Sequence, residues 1–144
     1  MNFYIEFLDS KFDKNSRESF VLIKLNNREI FSGRAKCHPD DFCSIYSGCR
    51  IAELRAKRKA LKSLLNDKRE ELQKLENFVK AVECYKEFDK ESKTARCVYR
   101  QLNRYKADVK SLANEITMLE RIEKEYIANL DRLNQKEKEQ AKAD

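Results

Sequence analysis

From Leu54 to Leu133 the apolar residues of this chain fall mostly three and four apart, and that spacing constrains the fold more than any other feature. A first run stands at Leu54, Leu61, Leu65, Leu72, Leu75, Val79 and Val82, with Lys68 as its interruption. A second stands at Val98, Leu102, Tyr105, Val109, Leu112, Ile116, Leu119, Tyr126, Leu130 and Leu133, interrupted at Glu123. A 3.6-residue period gathers each set into one stripe along a helix. Between them, Asp89-Lys90-Glu91-Ser92 is a polar break with two candidate N-caps. Two such stripes can hide against each other as an antiparallel hairpin, with arms of roughly 60–70 Å. With two Gly and one Pro in 144 residues, the chain has no means to punctuate a many-stranded sandwich or build a phosphate-cradling loop.

Ahead of the helices the period changes to two. Phe3, Ile5 and Phe7 alternate with Tyr4, Glu6 and Leu8, then Phe20–Leu25 and Ile30–Cys37 form two further β-rich runs. Asn26-Asn27 is a turn signal, because Asn tolerates positive φ, and residues 11–19 read as a polar connection. The expected fold is α+β: residues 1–43 as a three-stranded antiparallel β-meander head, residues 44–144 as a long antiparallel helical hairpin. His38-Pro39-Asp40-Asp41 is the stop between them and Ser44 a candidate N-cap, with the first helix expected from Ile45 to about Phe88. Residues 135–144 lack apolar periodicity and are expected to fray. A three-stranded sheet buries too little to stand alone and must pack on a helix or another subunit. Helical arms this long have little core beside them, so intersubunit packing, as a homo-oligomer of two or more chains, is expected.

The formal charge is +6, but it is unevenly spread. Basic and acidic residues cancel over residues 1–43; residues 44–68 and 92–114 are strongly basic, and 69–91 and 115–144 mildly acidic. Folded about an apex near Lys90, residue i lies beside roughly residue 180−i. Each basic half-arm then faces the more acidic half of its partner, a pattern that favours one register. Arg96, Arg100 and Arg104, four apart, form a row on the outer side of the second helix, with Tyr99 and Asn103 close to it. Arginine binds phosphate bidentately and an adjacent ring can stack on a base, so this row is a candidate anion site; otherwise it is a solvated face.

Other chemistry finds little footing. Cys37, His38, Cys43 and Cys49 are too widely spaced for a zinc finger, and His38 is the sole histidine. No metal and no cofactor is expected. Asp40 and Asp41 suit a helix N-terminus better than a catalytic pair, and no Cys or Ser has a base at a telling position, so the chain is expected not to be an enzyme. The cysteines, which include Cys84 and Cys97, are odd in number and read as reduced thiols, with no membrane span or leader.

Residues at the strand-to-helix junction carry a resemblance. Lys24-Leu25-Asn26-Asn27-Arg28-Glu29, then Gly33 through Cys37-His38-Pro39-Asp40-Asp41, then Gly48, Ala52 and Arg55-Ala56 resemble a cassette of small bacteriophage proteins, the Thoeris anti-defence sponge family. The resemblance covers roughly residues 20–60. It implies an oligomer in the host bacterial cytoplasm that binds and sequesters a cyclic ADP-ribose-type or other cyclic nucleotide signal without cleaving it. It carries over Arg55, which matches the Arg-Ala step, and fits Arg96, Arg100 and Arg104 as arginines four apart; Phe78 and Tyr99 are candidate stacking rings by residue type. The alternative is a coiled-coil protein-interaction module, such as a phage inhibitor or adaptor. Nucleic acid ranks below both as a partner, since no DNA-reading pattern accompanies the basic windows.

Overall fold

The computed structural model describes residues 2–37 and 45–144. The His38–Asp41 stop, Cys43 and the Ser44 cap lie outside the described residues. Three antiparallel strands, β1 (Ile5–Asp13), β2 (Glu18–Leu25) and β3 (Glu29–Lys36), precede two long helices, α1 (Ile45–Glu83) and α2 (Lys93–Ala143). The fold is thus α+β with a helical hairpin. Two compact units divide it: Met1–Ala60 with Ile116–Asp144, and Leu61–Glu115.

In the first unit the strands run in the order β1-β2-β3. Asn26 and Asn27 both take positive φ, and Arg28 N–H donates to the Leu25 carbonyl at 3.1 Å, closing the expected turn. The connection expected at residues 11–19 is shorter than its polarity suggests. β1 continues to Asp13 and only residues 14–17 turn. Ladder pairing needs backbone groups rather than apolar side chains, and Asp13 Oδ1 fixes the turn by accepting from Asn15 N–H at 2.9 Å.

Ser19, Val21, Ile23 and Leu25 of β2 alternate into the core. α1 lays Ala52 and Ala56 against the sheet at Gly33, and both, like Ala60 one turn further on, are fully buried. A Cβ on Gly33 of β3 would overlap the Ala52 carbonyl oxygen and come within 2.7 Å of Ala56 N, so strand and helix backbones meet where only glycine fits.

In the second unit α1 stops at Glu83, short of the expected Phe88. Bonds from Tyr85 N–H to the Val82 carbonyl and from Phe88 N–H to the Tyr85 carbonyl, both 3.1 Å, tighten the chain into three-residue turns. Ser92 is the cap of α2: its Oγ accepts from Ala95 N–H at 3.1 Å. At its far end α2 stays helical to Ala143, through the segment expected to fray; Gln, Lys, Glu and Ala are all good helix formers. The apolar seam thins there, leaving Leu133 exposed.

Candidate functional site

The arginine row does not stay on one line. Four residues turn a helix by about 400°, so each step advances about 40° around the axis. Arg96, at the near end, points to solvent and pairs with Glu91 at 3.2 Å. Arg100 and Arg104 wind toward the flank and there line a groove of about 380 Å³ with Cys97, Gln101, Tyr105 and Asp108 of α2 and Lys68 of α1.

Lys68 is the residue that interrupts the first apolar stripe. Its ammonium lies 5.1 Å from the centre of the Tyr105 ring, and it pairs with Glu71 at 3.2 Å. A cation resting on a ring loses little hydration and keeps donors for a further partner. Arg100 and Arg104 form no ion pair among the described residues. Among its lining residues the groove carries three cations, of which Lys68 is also paired with Glu71, and one carboxylate, that of Asp108. Two guanidiniums one turn apart, a nearby ammonium and an aromatic ring make a surface suited to an anion bearing more than one phosphate.

The other candidates lie elsewhere. Tyr99 donates its hydroxyl to Glu83 Oε1 at 2.6 Å, bracing the hairpin. That bond to a carboxylate raises the phenol's pKa above its ordinary value. Phe78 is 56% exposed and does not line the groove. Arg55 belongs to the first unit, where it donates from Nε to Glu123 at 2.6 Å and from Nη1 to the Arg34 carbonyl at 2.8 Å. Its guanidinium is engaged by the fold.

Lys68, Gln101 and Tyr105 are groove residues that the sequence does not single out as ligands. Tyr105 reads as a seam residue, and Lys68 as a defect in one; the useful signal was a cation breaking one apolar stripe and an aromatic ring within the other. Among the described residues no cluster of His, Cys, Asp and Glu could hold a metal ion, and no helix is long and apolar enough to cross a membrane. Comparison with family models, curated proteins and solved structures finds no match.

Proposed function

We propose that this chain is a non-catalytic binding protein whose groove takes the phosphates of a cyclic nucleotide, of the cyclic ADP-ribose type, and holds it intact. The observation that carries this reading is the pair Arg100 and Arg104, one turn apart and without an ion pair among the described residues, beside Lys68 on the Tyr105 ring. Arginines on a rigid helix meet phosphate with little reorganisation. The ligand class comes from the resemblance at residues 24–56, and the host bacterial cytoplasm is proposed on the same ground. The groove is not enclosed, so a second copy in a homo-oligomer would complete the enclosure a small ligand needs. Arg55, a ligand contact by resemblance, has no part in this site.

Calorimetric titration with a cyclic ADP-ribose isomer, followed by heating and recovery of the nucleotide, tests the reading. Binding with intact ligand released is expected, and Arg100→Ala should weaken it by about tenfold or more, the worth of a charged hydrogen bond. No heat from the unmodified protein, or unchanged affinity in Arg100→Ala, overturns it.

A second reading, a coiled-coil module docking a protein, draws on the exposed Phe78 and Tyr85 close to the hairpin turn. It expects no heat with nucleotide and a partner lost on Phe78→Ser with Tyr85→Ser.

A further inference from the structure

The two edges of the sheet are treated differently. Along β3 the carbonyls of Ser32 and Arg34 accept from Lys59 Nζ at 2.9 Å and Arg55 Nη1 at 2.8 Å. Cations from α1 thus occupy acceptors that an added strand would need, which blocks that edge. Along β1 no cation from a helix is seen among the described residues; Ser10 N–H donates to its neighbour Asp9 Oδ1 at 2.8 Å, a local bond that an incoming strand can displace, and the outer edge pairs with no strand. Phe7 is 54% exposed there, with Tyr4 and Leu8 also exposed. Phe7 sits opposite Ile23, which is fully buried, so an apolar side chain on the core face of the sheet is left uncovered at its rim.

The occupant that fits this edge is a second β1. In a two-fold antiparallel pair, residue i of one copy faces j of the other and j faces i. With the axis between Leu8 and Asp9, Ile5 meets Phe12, Glu6 meets Lys11 and Phe7 meets Ser10, each twice. Such a register would normally set core-facing side chains against outward ones, because its axis falls between residues. The irregularity between Phe7 and Asp9 removes that conflict. Ile5, Phe7, Ser10 and Phe12 all sit opposite the core-facing residues of β2, whereas Glu6 and Lys11 sit opposite Lys24 and Phe20 on the other face. A bulge and a lysine ordinarily discourage edge pairing. Here the bulge falls on the axis and the lysine meets a glutamate, so both select one partner in one register.

We propose that β1 is a self-association edge, joining two copies through an antiparallel β1–β1 pair into a continuous six-stranded sheet. The inference is independent of the nucleotide reading.

The test uses the full chain, mixed in equal parts as ¹⁴N and ¹⁵N protein, sedimented, then treated with a zero-length carbodiimide cross-linker and analysed by mass spectrometry. Expected are an even-numbered oligomer and Glu6–Lys11 cross-links joining ¹⁴N to ¹⁵N peptides. Within one strand these residues stand about 16 Å apart, too far for a direct amide. Glu6→Lys and Lys11→Glu should each dissociate the pair and the double exchange restore it, with circular dichroism confirming folding. A monomer at all attainable concentrations overturns the proposal. So does an oligomer that lacks the mixed-isotope cross-link, whether a partner protein's strand or the helices form its interface. Should a variant fail to fold, the cross-link in the unmodified chain decides.

Discussion

Arg55 Nε donates to Glu123 Oε1 at 2.6 Å, joining residues 68 positions apart, and Arg58 takes the other oxygen at 2.7 Å. Glu123 is the one break in the α2 apolar series and is 7% exposed, so the two arginines hold its charge inside the seam. Arg55→Ala with Arg58→Ala strands that carboxylate and should cost about 3 kcal/mol. Glu123→Gln leaves arginines that still reach water and should cost about 1 kcal/mol. Glu123→Leu completes the apolar stripe and should be close to neutral. Urea unfolding of the three variants checks the order, and a Gln variant worse than the double alanine would contradict it.

Gly33→Ala sets a methyl group against the α1 backbone, which cannot rotate away. A loss of about 3 kcal/mol or more is expected, at the top of the range for overpacking. The contrast is Gly48→Ala, whose Cβ meets the side chain of Ser19. There Ser19→Ala should recover part of the loss, whereas no single side-chain change should rescue Gly33→Ala. Thermal unfolding of both series decides.

Tyr99 gives a pH prediction. Its hydrogen bond to Glu83 raises the phenol's pKa above 10.0, helped by burial and by the Glu83 charge. The folded state therefore holds the proton more tightly than the unfolded one. The stability this contributes is complete below about pH 10 and is lost as pH rises through the folded value. The tyrosinate absorbance of the native protein minus that of Tyr99→Phe should titrate above 10.0, and Glu83→Gln should bring the midpoint down. A difference midpoint at or below 10.0 contradicts the geometry.

The hairpin was legible in the sequence because its stripes are long and apolar: Glu83 meets Tyr99 and Arg55 meets Glu123, close to the register expected from an apex near Lys90. The strands were legible where they are apolar and not beyond, since Lys11–Asp13 pair through backbone groups that leave no mark on side-chain pattern. Glu123 was visible as a break, yet which cation meets it depends on how far guanidiniums reach across two helices. The groove was half visible. Four-residue spacing singles out Arg100 and Arg104, but the winding that leaves Arg96 outside, and the facing Lys68 on Tyr105, emerge only from the packed pair.

Cys97 lines the groove and Cys84 does not, and both are exposed, so the protein carries a reporter and its control. The most direct test of the groove as a nucleotide site is the ratio of their iodoacetamide alkylation rates, read by mass spectrometry with and without a cyclic ADP-ribose isomer. Occupancy of the groove predicts that Cys97 slows severalfold while Cys84 keeps its rate. A ratio of the two rates that saturating nucleotide leaves unchanged would contradict the account.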